Sequence, residues 1–386
     1  MGAIHAWNAD PHLCRVEKQI TVNQTLSMRF GTLVDWRFAM HSFSPTAPAL
    51  LNRAIARIVG REASILSYPL IEMLRTCKLQ TRGRGDCTRD RPLPIDSVVT
   101  GSTPPVDRMS RVSGNLHYSS AWLWLAEGAR RVVLPPSAIR TGCTYLLSFY
   151  DAFGEHIASI GDAEARDAGV IVHSPHTAPG ATGPDFHVIH SPTDLVWMIG
   201  RILDSPHEPR QHVLFQSTLH IDGPPGTLAG RRPAALDLWE GDVSDPFVDL
   251  VERQLPGADL APAFFANMCR ALAHIRVPSA DRPLISALRM LGLETDCSAH
   301  WNDLPASVRE GLTLGLVDAA QAVSASAAQP VHSAACGRPT RRECRLTRAV
   351  RAYKGLCNHA VEAPLADLVA AASIRGRSVV TCRPPT

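Results

Sequence analysis

The pattern of apolar residues changes at about residue 244, and this change constrains the fold more than any other feature of the sequence. Before it, apolar residues gather in short runs bounded by proline and glycine, such as 167–174 and 186–191, which is typical of β-strands. After it, apolar residues recur at helical spacing over long segments such as 307–328. The sequence therefore predicts an α+β fold, with mixed strands and helices in the N-terminal two thirds and a mainly helical C-terminal third.

Individual segments extend this prediction. The pattern over 46–78 predicts a helix interrupted at Pro69, because proline removes a backbone donor. Branched and aromatic residues predict strands at 143–153 and 211–221. The segment between the short strands, 193–204, is interpreted as an amphipathic helix.

Three regions follow from these patterns. Residues 1–116 hold the N-terminal helix and a polar stretch at 79–115 that is rich in arginine, aspartate, proline and glycine. Residues 117–243 form a mixed α/β region, and residues 244–386 form a helical region. The polar stretch is long for a loop inside a domain, so we interpret it as a boundary or as an arm that reaches a neighbouring subunit.

Composition excludes several classes of protein. With 45% hydrophobic residues, 19% charged residues and a net charge of +3, the chain is neither a disordered polyelectrolyte nor a strongly basic nucleic-acid coat. It holds no run of 18 apolar residues, so no membrane span is expected. The ten cysteines form no CxxC pair, and we interpret them as reduced thiols of a cytosolic protein.

Lysine is scarce. Only three of the 39 basic residues are lysines, namely Lys18, Lys78 and Lys354. Codon bias in a GC-rich genome explains such a composition. A second explanation is that lysine is depleted from protein interfaces, whereas arginine is enriched there. The two explanations are compatible, and the second favours a surface that is buried against neighbouring molecules.

The C-terminal segment 338–359 combines basic residues with cysteines. A helical wheel predicts a helix over 341–358 with an apolar stripe that is buried. The stripe contains Leu346, Val350 and Tyr353. The opposite face is expected to point outward, toward RNA phosphates, an acidic protein surface or solvent, and it contains Arg341, Arg345, Arg348 and Arg351.

Two groups of residues in the chain suggest metal ligands without a recognised pattern. The first is a possible zinc set in the C-terminal segment whose spacing matches no known zinc finger, and it consists of Cys336, Cys344, Cys357 and His359. The second is a pair of HxxH motifs, and it consists of His173, His176, His187 and His190. Four imidazoles suit a metal ion. However, Pro175 prevents a regular helix there, so satisfied or exposed histidines are the favoured interpretation.

A sharper candidate lies in the sequence LHIDGPPGTL, where His220 and Asp222 form an HxD motif. His274 follows at a distance, and Arg282 comes after it. This arrangement resembles the plant-type 2-oxoglutarate-dependent oxygenases. The resemblance implies that His220, Asp222 and His274 hold Fe(II) and that Arg282 binds the carboxylate of the cosubstrate.

Common enzyme signatures, including the P-loop, GxSxG and HExxH, do not occur in the sequence. In the segment CSAHWNDL, Ser298, Trp301 and Asn302 precede a helical stretch. This resembles the inner-capsid clamp proteins of turreted reoviruses. The resemblance implies a non-enzymatic structural protein, without a cofactor, that stabilises the icosahedral shell of a double-stranded RNA virus.

The same resemblance implies the partners and the location of the protein. Capsid shell subunits and double-stranded RNA are the expected partners, and no membrane is expected. The expected location is the inner capsid of the virion, and the host cytoplasm during assembly. The oxygenase remains the alternative function.

Overall fold

The computed structural model describes residues 49–81, 95–96, 98–101, 116–140, 142–161, 169–177, 185–204, 210–223, 244–294, 301–328 and 341–353. The helices are α1 (Ala49–Thr81), α2 (Ser137–Arg140), α3 (Gln211–Thr218), α4 (Pro246–Val251), α5 (Gly257–His274), α6 (Arg282–Met290), α7 (Ala306–Ala327) and α8 (Arg341–Tyr353). Short 3-10 turns span Ser279–Asp281 and Trp301–Asp303.

The strands are β1 (Val99–Gly101), β2 (Leu116–Trp124), β3 (Arg130–Val133), β4 (Cys143–Asp151), β5 (His156–Gly161), β6 (Gly169–His173), β7 (Phe186–His190), β8 (Leu195–Asp204) and β9 (His220–Asp222). The strands precede residue 244 and the helices dominate after it, which confirms the predicted α+β class.

Nine strands form two sheets among the described residues. The larger sheet has the order β1-β2-β8-β4-β5 and is antiparallel throughout. The smaller sheet has the order β7-β6-β3-β9, and only its β6–β7 pair is parallel. The larger sheet is the middle layer of the molecule, because each of its faces packs against a different core.

Alternation along the strands builds these two cores. On one face of the larger sheet, Leu123, Leu147 and Met198 pack against Val132 and Val170 of the smaller sheet. We call this the sandwich core. On the opposite face, side chains of the larger sheet pack against the helices in a second core, which we call the helical core, and they include Tyr118, Trp122, Trp124, Trp197 and Ile199. Trp122 and Trp197 stack there with their ring centroids 5.0 Å apart.

The N-terminal helix α1 packs along α7, so it shares the helical core with the C-terminal region. Glycines allow the close approach. A Cβ atom on Gly311 would lie 2.4 Å from the carbonyl oxygen of Arg53, and one on Gly315 would lie 2.5 Å from that of Arg57. The Arg57 guanidinium also donates to Asp318 on α7, with an Nε–Oδ2 distance of 2.6 Å.

Three local predictions are wrong. The segment 193–204 forms the central strand β8 instead of a helix, because its nearly continuous apolar run is buried on both faces of the larger sheet. The segment 211–221 forms helix α3 followed by the short strand β9. Helix α1 also continues through Pro69 instead of breaking there.

Most of the proposed arm at 79–115 lies outside the described residues. None of the described helices combines the length and the apolar character that a membrane crossing requires.

Candidate metal centre

Three separate elements bring a cluster of polar side chains to one end of the sandwich core. His117 is the second residue of β2, Asp204 is the last residue of β8, and His212 is the second residue of α3. His117 is paired with Ile202 across the two strands. Residues directly opposite each other, and residues two apart on one strand, point to the same face of a sheet. His117 and Asp204 therefore share the face that α3 covers.

Asp204 also holds the start of α3. Its carboxylate accepts hydrogen bonds from the backbone N–H of Arg210 at 3.2 Å and from that of His212 at 2.8 Å. Arg210 has a φ of 75°, so the chain turns sharply into the helix at this residue. A carboxylate at a helix N-terminus satisfies backbone donors that lack partners within the helix. Asp204 therefore fixes the position of His212.

The two imidazole rings stack face to face, with 3.3 Å between centroids and 2° between planes. His212 Nδ1 lies 2.6 Å from Asp204 Oδ2, and His117 Nε2 lies 3.6 Å from the same oxygen. One potential ligand atom from each of the three residues lies within 4.8 Å of the other two. In the part of the chain that the structure describes, no other group of three histidine, cysteine, aspartate or glutamate residues meets this criterion.

The surroundings favour neutral imidazole at His117. Burial lowers the pKa of His117, the neighbouring His212 lowers it further, and Asp204 opposes the change. A metal ion binds neutral imidazole through a nitrogen lone pair. The side chains of His117, Asp204 and His212 are 18%, 19% and 16% exposed, so the cluster is screened from bulk solvent yet reachable from it.

Buried side chains of the sandwich core lie on the same elements as the cluster. Phe215, one turn along α3 from His212, is buried and packs against Tyr145 of β4, with 4.8 Å between ring centroids. Cys143, also buried, lies opposite Asp204 across β4 and β8. Buried neighbours lower the local dielectric constant, which strengthens the electrostatic interactions of polar groups with a bound ion.

The oxygenase resemblance placed the iron ligands elsewhere. His220 Nε2 does lie 3.6 Å from Asp222 Oδ1 on β9. However, Asp222 forms an ion pair with Arg131 of β3, with an Nε–Oδ2 distance of 3.2 Å. His274 ends helix α5 in the helical layer. The structure describes all three predicted ligands but does not gather them into one group.

The predicted arginine face of α8 is corrected by the structure. Arg345 Nε lies 3.0 Å from Asp281 Oδ1, and Arg348 Nε lies 2.7 Å from Glu155 Oε1. Arg351 pairs with the same Glu155 carboxylate. These three side chains are 15%, 17% and 24% exposed, so they tie α8 to the rest of the molecule instead of facing outward. These arginines turn inward because Asp281 and Glu155 lie on the surface against which α8 packs.

The apolar stripe of α8, which the helical wheel predicts to be buried, is only half-buried. Leu346, Val350 and Tyr353 are half-buried against the helical core, while Ala349 and Ala352 are fully buried between them. The side chain of Arg341 lies outside the described part of the structure, as do residues 354–358 of the predicted helix.

The described part of the structure includes the possible zinc set and the clamp-like segment only in part. Of the possible zinc set, Cys336, Cys357, His359 and the side chain of Cys344 lie outside the described residues. Trp301 of the clamp-like segment stacks on Phe265, with 5.7 Å between ring centroids, while Ser298 is not described. The capsid-clamp function stays a prediction.

Sequence reasoning missed the cluster because it assigned β8 and α3 to the wrong types of element. His117, Asp204 and His212 also follow no compact motif. The available signal was chemical. His117 and Asp204 are polar residues near the ends of otherwise apolar runs, where side chains at a sheet edge can converge.

Comparisons with known proteins agree with the fold and leave the activity open. Residues 98–222 match a family model described as a protein of unknown function, DUF1254. This range contains all nine described strands and the three residues of the cluster. No curated protein matches the chain. The crystal structure of the VPA0106 protein from Vibrio parahaemolyticus is similar with a TM-score of 0.51 and 12% identity, over 80% of this chain and 67% of that one, which is a likeness of fold alone.

Proposed function

We propose that this protein binds a divalent first-row transition-metal ion through His117, Asp204 and His212, and presents that ion to a small-molecule ligand. The observation that carries the proposal is the convergence of two imidazoles and one carboxylate from three separate elements, with their ligand atoms within 4.8 Å of one another. Nitrogen and oxygen ligands of this kind suit zinc, iron and nickel.

The number of protein ligands favours a site that reacts or binds, rather than a purely structural one. Structural zinc sites are usually closed by four protein ligands, whereas catalytic sites keep a position open for water or substrate. When bound, such an ion acts as a Lewis acid and activates a coordinated ligand.

The chain's own residues prepare this site in three ways. Asp204 accepts from the backbone of α3 and so positions His212. Burial keeps His117 neutral, so that its lone pair is available. Phe215, on the same helix as His212, is buried against Tyr145 in the sandwich core and anchors α3 there. Preorganisation of this kind reduces the cost of assembling ligands around an ion.

Zinc titration of chelator-treated protein tests the proposal. Isothermal titration calorimetry should show that the double variant His117→Ala/His212→Ala binds one equivalent of Zn²⁺ fewer than the unaltered chain. Substitution with Co²⁺ gives a second readout, because its absorption spectrum reports ligand number and geometry.

His220→Ala is the matched control, since it removes an exposed histidine that also lies beside an aspartate. It should leave the stoichiometry unchanged. Equal stoichiometry in the double variant and the unaltered chain, with circular dichroism showing both folded, would overturn the proposal.

A further inference from the structure

A second pair of histidines lies on the smaller sheet, away from the cluster described above. His173 ends β6 and His190 ends β7, and the two residues are paired in the parallel register of these strands. Their ring centroids are 4.3 Å apart with 71° between the planes. The preceding residues, Val172 and Ile189, point into the sandwich core. Because side chains alternate along a strand, both histidines lie on the outer face of the sheet.

Hydrogen bonding determines which nitrogen of His173 carries the proton. Nδ1 lies 3.1 Å from the carbonyl oxygen of Ser174 and 3.1 Å from that of Thr177. Carbonyl oxygens only accept hydrogen bonds, so Nδ1 is the donor and carries a hydrogen. In the neutral ring Nε2 then has a free lone pair.

The turn that follows β6 holds this arrangement. The backbone N–H of Ser174 donates to Thr177 Oγ1 at 3.0 Å, and the backbone N–H of Ser191 donates to the carbonyl oxygen of His173 at 2.8 Å. The imidazole of His173 is thus oriented by its own turn and by the neighbouring strand end.

The lone pair of His173 has no partner among the residues that the structure describes. Nε2 is a buried atom without a hydrogen-bond donor, and the residue as a whole is only 6% exposed. Leaving a buried polar atom without a hydrogen-bond partner destabilises the folded state. A ligand that accepts the lone pair would remove this cost.

We propose that His173 and His190 form a second metal site, which takes a divalent transition-metal ion with a preference for imidazole, such as Cu²⁺, Ni²⁺ or Zn²⁺. A histidine that binds a metal commonly donates its other ring N–H to a backbone carbonyl, as His173 does here. His190 is exposed, so its ring is free to turn toward the ion and solvent ligands can complete the coordination. This site is independent of the one formed by His117, Asp204 and His212.

The test uses the full chain carrying His117→Ala and His212→Ala, so that the first site is removed. Titration of this background variant with Cu²⁺, followed by calorimetry and electron paramagnetic resonance, should show one equivalent bound by two nitrogen ligands. Adding His190→Ala should weaken Cu²⁺ binding at least tenfold and remove one nitrogen from the spectrum.

The matched control is His176→Ala in the same background, because His176 is an exposed histidine of the neighbouring turn. It should leave Cu²⁺ binding unchanged. Equal effects of His190→Ala and His176→Ala would mean adventitious binding to surface histidines and would overturn the inference. Since His190 is exposed, its substitution tests the site without removing a buried side chain. A negative result in this test would not change the zinc stoichiometry that tests the first site, so each proposal can be refuted without the other.

Discussion

The imidazole rings of His117 and His212 lie parallel with only 3.3 Å between their centroids. Two positive charges at this separation repel strongly, because the protein surroundings screen them less than water does. His212 therefore opposes the uptake of a proton by His117, whose pKa is lowered by burial and by this neighbour, while Asp204, within 3.6 Å of both rings, acts in the other direction.

This relationship predicts how the stability of the metal-free protein depends on pH. The pKa of His117 is lowered in the folded state by burial and by His212, so the unfolded chain binds a proton there more readily. Folding stability should therefore fall as the pH drops below about 6.5, the ordinary pKa of histidine, and this loss should be complete below the folded-state pKa. Urea unfolding at a series of pH values measures the effect.

His117→Gln should reduce that loss, because glutamine does not titrate. His176→Gln, at an exposed histidine, is the control and should keep the pH profile of the unaltered chain. An unchanged profile in His117→Gln would contradict the assignment.

Asp151 should make the folded protein more stable at acidic pH, which is opposite to the effect of His117. Burial raises its pKa to about 6, although its carboxylate accepts from the backbone N–H groups of Phe153 at 2.8 Å and Glu155 at 2.9 Å. A raised pKa contributes stability that is fully present below the unfolded value of 3.8 and is lost as the pH rises through about 6. The loss at neutral pH should be on the order of 3 kcal/mol.

Asp151→Asn preserves both accepted hydrogen bonds and removes the charge. At pH 7.5 the variant should be at least as stable as the unaltered chain, and its stability should vary less between pH 4 and pH 6.5. Chemical denaturation measures both quantities, and Asp259→Asn, at an exposed carboxylate, is the control. A large loss of stability in Asp151→Asn at pH 7.5 would show that the buried negative charge itself stabilises the turn between β4 and β5.

Gly311 should be required for the contact between α1 and α7. An added Cβ would lie 2.4 Å from the Arg53 carbonyl oxygen and 2.7 Å from the Ala56 Cβ. The carbonyl oxygen belongs to the backbone of α1, so the clash cannot be relieved by a change of side-chain rotamer. Gly311→Ala should therefore lower the free energy of unfolding by about 1–3 kcal/mol, despite the better helix propensity of alanine. Gln321→Ala, on the exposed face of α7, should change it by less than about 0.5 kcal/mol. Equal stabilities of the two variants would show that the helices can separate without cost.

The histidines illustrate where prediction from sequence reached its limit. The resemblance to oxygenases implies two-histidine-one-carboxylate chemistry at His220, Asp222 and His274 as the alternative function. The structure gathers that set of ligand types at His117, Asp204 and His212. A short motif such as HxD shows only that two residues are close in sequence. The three ligand residues of this cluster come together because of the register between β2 and β8 and the position of α3.

Local patterns in the sequence determined the α+β class, the strand at 143–151, and the helices after residue 244, because alternation and helical periodicity depend only on neighbouring residues. They also placed the arginines of α8 on one face. Only the tertiary structure decided that this face meets Glu155 and Asp281, and that 193–204 is a strand buried on both sides. Periodicity reports which side chains share a face, but the partner of that face is set by packing between segments that are distant in sequence.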